Sequence, residues 1–463
     1  MTHIKKYTLL LSLAVMVYTT HAQEAATTGI NISYSLQQAI DYAVQHSPNY
    51  LNSGLDQKNA EYRKNEVRGQ GLPQITGSFD LKDYLSLPTS LLPGLIVASS
   101  YTNGPPPAYI PVKFGTQFNA TAGLNVSENL NSDYFFGLSA AKEYINLSRI
   151  NVNRSKVDLV AQVSKAYYGV VIARQRMKLL DVNIAKTKIN LDQTTAMVNQ
   201  GLKEKIDAES IEVQYNNLMT DKQRTLQLIL VSEGTLKFQM GYTVTDPIAL
   251  SDSLNIETAT DANLNPGALD FNNRPDYQAL KAQQHLYEID VKRRKWGYLP
   301  SLTIYGNYSF QKQRNQFDIF GGGASDDPTN KWFKIAYVGA TLNFNFFDGL
   351  QRHYQIQQAK MTSQKNLNTI RGLELQSQLE ANTASINYSN AFISVTNQRK
   401  NMELANHIYD VTQKKFTGGV GTNQEVIIAE SQLRDAQNNF FNAVYDLYMA
   451  RIDYQKSLGG LVK

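Results

Sequence analysis

The sequence has no cysteine, few charges and little continuous apolar sequence, and each shortage removes a class of protein. Its 463 residues include no Cys, which excludes disulfide staples, thiolate metal sites and a lipid-bearing cysteine behind a signal sequence. Charged residues make up only 18% of the chain, and 45 basic against 40 acidic residues leave a net charge of +5. That balance gives no footprint for nucleic acid. Past the N-terminus there is no run of the roughly 18 apolar residues a transmembrane helix needs. Also lacking are G-x-x-x-x-G-K-[ST], H-E-x-x-H and G-x-S-x-G, so no nucleotide, zinc-peptidase or hydrolase site is expected. The 6 histidines are scattered, and His353 and His407 read as exposed helix residues rather than metal ligands. Phe320 to Asn330, rich in Gly and Asp, departs from the calcium-loop pattern and reads as a loop. The expectation is a protein that is not an enzyme, with no cofactor and no metal.

What is present is uncharged polarity and strong periodicity. The N-terminus pairs Lys5 and Lys6 with an apolar stretch from about Thr8 to Thr19, then small residues Thr20 and Ala22 before Gln23. This is the pattern of a secretory signal peptide, residues 1–22, removed on export. Between Val112 and Ser127, Val112, Phe114, Phe118, Ala120, Ala122, Leu124 and Val126 alternate with Lys113, Gln117, Asn119, Thr121 and Asn125. A period of two marks a strand with one apolar and one polar face. Trp332 to Phe347 repeats the pattern, with Val338, Leu342 and Phe344 on the apolar side.

The chain is written twice. Pro48 and Pro73 recur as Pro275 and Pro300, both 227 residues on. From Ala141, paired with Ala359, the spacing becomes 218 and holds without a gap through Ala173 and Ala391, Gly201 and Gly419, Glu212 and Glu430, to Gly241 and Gly459. A gapless series in the same order is an internal duplication. It divides the mature chain into a first repeat, residues 23–241, a linking segment, 242–272, and a second repeat, 273–463.

Each copy predicts the same elements. A helix runs to a Leu-Pro (Ala39 to Gln70; Tyr277 to Gly297), where proline ends it. A strand follows (Gln74 to Leu81; Ser301 to Gln311), then the alternating strand, a very long helix, a Gly turn and a return helix. In the long helix Leu159, Val163, Ala166, Val170, Ala173, Met177, Leu180, Ile184 and Leu191 keep a coiled-coil rhythm broken only at Thr187. A helix from Ser139 to Gln200 would extend roughly 93 Å at ~1.5 Å per residue.

Four amphipathic strands per chain leave two readings open. They form a soluble sandwich, or their apolar faces meet lipid; in lipid an open sheet is not viable and four strands cannot close a barrel, so several chains would share one. Tyr84, Tyr305, Tyr308, Trp332, Phe333 and Tyr337, near strand ends, suit an aromatic girdle but also an ordinary sheet. The segment 87–111 is unusually apolar for a loop. It folds over a barrel mouth, docks a partner or packs on itself as an Ω-like loop.

The residues "YSLQQAIDYAVQHSPNY" and "GLPQI", and in the second copy "NRPDYQALKAQQHLYEIDVKRRKWGYLPSLTIYGNY", "NFFDG" and "FTGGVG", resemble the outer membrane efflux protein (TolC-like) family over essentially the whole mature chain. The resemblance implies a mainly α protein with a transmembrane β-barrel portion. Four strands per chain would join a shared 12-stranded barrel, continued by an α-helical tunnel into the periplasm. It implies a homotrimer in the outer membrane, serving as the passive exit duct of a tripartite efflux pump or type I secretion system. A periplasmic adaptor and an inner-membrane transporter would be its partners. The alternative is an exported coiled-coil or adhesin-like envelope protein without channel activity.

Site residues follow from the same resemblance. Gly201, Leu202, Gly419, Val420, Gly421 and Thr422 at the hairpin turns would meet the adaptor, although glycines there also serve the turn itself. Asp207 and Glu425, six residues beyond Gly201 and Gly419, would face the periplasmic constriction. Acids in a first helical turn equally serve the helix dipole. Relatives often carry a second acid where this chain has Ile428. The lipid-facing set would be Phe114, Phe118, Leu124, Val338, Leu342 and Phe344.

Overall fold

The computed structural model describes residues 33–94, 96, 108–254, 269–318 and 331–461. The proposed signal peptide, Phe320 to Asn330 and much of segment 87–111 lie outside them. Two short helices open the first copy, α1 (Leu36–His46) and α2 (Pro48–Gln70). The single helix expected from Ala39 to Gln70 is therefore broken. Ser47 takes an extended conformation, as a residue preceding proline is biased to do, and Pro48 restarts the chain at a first helical position. Ser35 caps α1 in a reciprocal box with Gln38.

Strand β2 (Gln74–Asp83) and strand β5 (Phe118–Leu130) flank a separate hairpin of β3 (Thr89–Pro93) and β4 (Tyr109–Lys113). The continuous strand expected from Val112 to Ser127 is thus two elements. The chain turns between them at Gly115, whose φ of 102° suits glycine, and Phe114 lies in this break rather than in a strand. The long helix α3 (Ser132–Asn199) has 68 residues, or about 102 Å at ~1.5 Å each. It returns as α4 (Lys205–Met240).

The second copy repeats the plan with α5 (Pro275–Trp296), β7 (Ser301–Arg314), β8 (Phe333–Asn343), α6 (Gln351–Thr417) and α7 (Asn423–Ser457). Phe344 lies one residue past the end of β8. A two-residue strand β6 (Ala249–Leu250) in the linking segment pairs parallel with β1 (Ser33–Tyr34). Only Gly201 and Gly419 of the turn glycines are left-handed, with φ of 74° and 77°. Gly418 and Gly421 are not, so positive φ explains two of the four.

The main sheet is fully antiparallel in the order β2-β5-β7-β8. Its centre, β5 against β7, joins the two copies. The cores sit in the rods. Tyr34, Ala39 and Ala43 pack on Leu159, Val163, Tyr167, Leu236 and Met240, strapping Tyr34 and α1 to the first hairpin. Tyr388, Val395, Phe440, Val444, Leu447 and Tyr454 fill the second. No helix among the described residues is long and apolar enough to cross a membrane.

Candidate functional site

The register sorts the side chains of the four-stranded sheet by face. One face carries Ile75, Phe79 and Leu81 of β2, then Phe118, Ala120, Ala122, Leu124 and Val126 of β5. It continues with Leu302, Ile304, Tyr308 and Phe310 of β7 and with Ala336, Val338, Ala340 and Leu342 of β8. Ile75, Phe79, Leu124, Val338 and Leu342 are exposed, so this chain leaves much of that face uncovered. A β-sandwich would pack a second sheet over it.

The opposite face carries Thr76, Ser78, Asn119, Asn125, Asn129, Thr303, Asn307, Gln311 and Thr341. It is stitched by side-chain hydrogen bonds. Asn307 Nδ2 donates to Asn125 Oδ1 at 2.6 Å, Thr303 Oγ1 to Asn129 Oδ1 at 2.7 Å and Gln311 Nε2 to Asn119 Oδ1 at 3.0 Å. Amides in this density need water or each other, since unpaired polar groups are costly away from solvent. Tyr305 and Tyr337 belong to this polar face and meet edge-on at 6.3 Å. Tyr305 also covers Gly339, its cross-strand partner. Of the aromatics near strand ends, Tyr308 lies on the apolar side and Tyr305, Phe333 and Tyr337 on the polar side, which breaks up a simple girdle.

All four helix connections leave from one end of the sheet, at Gln74, Leu130, Ser301 and Asn343. The helices carry the chain away from that end to two hairpin tips. There Gly201, Leu202, Val420 and Thr422 are exposed. Lys203 Nζ stands 4.0 Å from the ring centroid of Phe416, and Asn423 Nδ2 donates to the Asp207 carbonyl at 3.1 Å. These contacts hold the two tips together, and with them the ends bearing Asp207 and Glu425.

Each acid is the third residue of its helix. Glu425 is engaged locally. Its carboxylate accepts from the Thr422 amide at 3.4 Å while its own amide donates to Thr422 Oγ1 at 3.3 Å, a reciprocal capping box. The sequence signal for it was Thr422-x-x-Glu425. Asp207 has no such box, because Glu204 caps α4 without a side-chain bond.

Above the tips the hairpins are joined by polar contacts that sequence reasoning missed. Thr187 Oγ1 donates to Glu430 Oε1 at 2.8 Å, Asn183 Nδ2 to Gln437 Oε1 at 2.7 Å and Arg176 Nη2 to Asn438 Oδ1 at 2.8 Å. Thr187 is the polar interruption in the apolar rhythm, and that was its signal. Burial raises the Glu430 pKa, an effect only partly offset by the Thr187 hydrogen bond and by Arg434. Tyr409, against the same carboxylate, is pushed up to about 12 by burial and then by Glu430. Among the described residues no group of three or more His, Asp or Glu side chains is placed to hold a metal ion.

Comparison with known proteins adds to this geometry. The family model described as "Outer membrane efflux protein" matches residues 271–460. The chain is 20% identical over 356 residues to "Outer membrane protein TolC" of Vibrio cholerae, covering 74% of this chain and 77% of that protein. It is 22% identical over 432 residues to the Escherichia coli protein of the same name, covering 92% and 82%. Its fold matches the crystal structure of CusC with a TM-score of 0.73 at 12% identity, over 93% of each chain.

Proposed function

We infer that this TolC-like outer membrane efflux protein is the passive exit duct of an export system, set in the outer membrane and reaching into the periplasm. The observation that carries the reading is the two-faced sheet on two helical hairpins. A largely apolar face left open on the chain, which also carries Asp83, Glu128, Lys312, Arg314 and Lys334, is suited to lipid over its apolar band, and the amide-lined face behind it to water. Leu124, Val338, Leu342 and Phe118 are the lipid-facing residues of this reading. Phe114 and Phe344 are not strand residues in the single chain.

A sheet with two free edges cannot stand in a bilayer, because edge N–H and C=O groups have no partners there. Three copies would bring twelve strands and close the sheet. The homotrimer, built from repeats 23–241 and 273–463 about the linking segment 242–272, therefore belongs to the proposal. So do a periplasmic adaptor and an energised inner-membrane transporter, one supplying contacts at Gly201, Leu202, Gly419, Val420, Gly421 and Thr422, the other the driving force. The protein would act as a conduit, not an enzyme. Asp207 and Glu425 would line the periplasmic constriction, Glu425 while also capping its helix. A rod-like adhesin finds no support in an exposed apolar sheet face.

The test is fractionation and conductance. The mature protein should be found in the outer-membrane fraction as a heat-modifiable trimer and should conduct ions in planar bilayers. A soluble, non-conducting protein would remove the proposal.

A further inference from the structure

We propose that the water-facing side of β8 carries a binding lane for uncharged aromatic rings, so that the barrel retains flat-ringed solutes on their way out instead of passing all solutes alike. The inference rests on the exit-duct reading above, which makes the amide-lined face the wall of a water-filled lumen. It starts from rings that stand on the wrong side for a membrane girdle. Phe333, Ile335 and Tyr337 follow one another along β8 on that polar face, at intervals of about 7 Å. Tyr305 of β7 carries the lane one row further. Its ring lies over Gly339, where an added Cβ would meet it at 2.7 Å.

Packing within the sheet does not account for the lane. Tyr305 and Tyr337 meet each other edge-on, but Phe333 and Ile335 stand opposite Gln311 and Ser309, whose side chains are polar. Phe333 and Tyr337 remain 53% and 52% exposed. An exposed apolar patch rimmed by polar groups marks a surface that binds something.

The duplication supplies an internal control. Ile75 and Leu302 each stand two residues past a repeated proline, and their cross-strand partners are Val126 and Leu342. Counted from these pairs, Phe333, Ile335 and Tyr337 occupy the places that Gln117, Asn119 and Thr121 hold in the first copy. Tyr305 occupies that of Ser78, and Gly339 that of Gly123. The first copy thus builds the same strands with polar residues, and the fold does not require the rings.

The surroundings select the ligand. Aromatic rings hold other rings in offset or edge-on contact. The flanking amides have spent hydrogen bonds on each other, Asn307 with Asn125 and Gln311 with Asn119, which leaves less for a hydroxyl-rich solute such as a sugar. Among the strand residues of this face the only charges are Asp80 and Lys82. They stand 3.8 Å apart and offset one another, so an ionic solute finds no free counter-charge. A neutral ring fits best.

Single-channel recordings in planar bilayers test the lane. N-acetyltryptophanamide, a neutral ring-bearing probe, is added on the side where the barrel opens away from the rods. It should reduce the wild-type current at a concentration several-fold lower than N-acetylleucinamide, its ringless counterpart. The triple variant Phe333→Gln, Ile335→Asn, Tyr337→Thr takes the first copy's residues, which the same strand geometry already accommodates. It should conduct and lose that discrimination, with Tyr337→Thr alone falling between. Should the triple variant fail to conduct, Tyr337→Thr decides, and unchanged discrimination there overturns the lane. Equal response of the wild type to both probes, or a conducting triple variant that still prefers the ring, overturns the lane and leaves the duct standing. A wild-type protein that forms no channel overturns both.

Discussion

Replacing Leu124 by Arg probes the assignment of the two sheet faces most sharply. Leu124 is the middle residue of β5, in a row with Gly77, Tyr308 and Ala336. Six residues separate it from each end of the strand. At ~3.4 Å per residue that is about 20 Å along the strand, or roughly 15 Å of height at a tilt near 40°. An apolar band of about 25 Å therefore has its midplane close to this row. Arg at the midplane costs roughly 2–4 kcal/mol per copy, a factor of about 30 to 1,000 in the folded-to-unfolded ratio. Asn125→Arg, one residue on, points to the other face. It loses the 2.6 Å bond from Asn307, a neutral pair of ~0.5–1.5 kcal/mol, but its charge stays in water. Urea unfolding in lipid vesicles, with urea midpoints read for both variants, should rank Leu124→Arg clearly below Asn125→Arg. Equal midpoints, or the reverse order, would refute the face assignment.

Three further outcomes are expected. Because the Glu430 pKa is raised in the folded protein, the native state holds a proton more firmly than the unfolded chain. Its contribution is complete at pH below the ordinary glutamate value of 4.5 and is lost as pH rises through the raised value. Glu430→Gln keeps an acceptor for Thr187 and should flatten this part of the Tm–pH curve; an unchanged curve would mean the carboxylate is solvated. Asp207→Asn with Glu425→Gln keeps the capping geometry and removes charge, so single-channel recordings should show weaker cation preference and weaker block by trivalent cations from the periplasmic side. Wild-type selectivity in that double variant would leave both acids as dipole complements. Finally, intact mass of the exported protein should give a chain beginning near Gln23 without lipid, and a retained Met1 would contradict this.

Elements that depend on local repetition are legible in the chain alone. Period-two runs marked the four sheet strands, the heptad rhythm marked the rods, and Pro73, Pro300, Gly201, Gly241, Gly419 and Gly459 punctuated them. These signals are local, since a pleat or a helical turn imposes its spacing on neighbours in the chain. Duplication did the rest, because the same errors rarely recur twice in register. Tertiary structure decided what distant residues do to one another. Thr187 looked like a flaw in the seam until Glu430, 243 positions away, supplied its acceptor. The joining of the hairpin tips by Lys203 on Phe416 and by Asn423 on the Asp207 carbonyl left no periodic trace, for such contacts have none to leave. Val112 and Val126 belong to one alternating run, yet Gly115 sends them into different sheets. Alternation records which side of the pleat a residue takes, whereas the partner strand is chosen by hydrogen bonds across space.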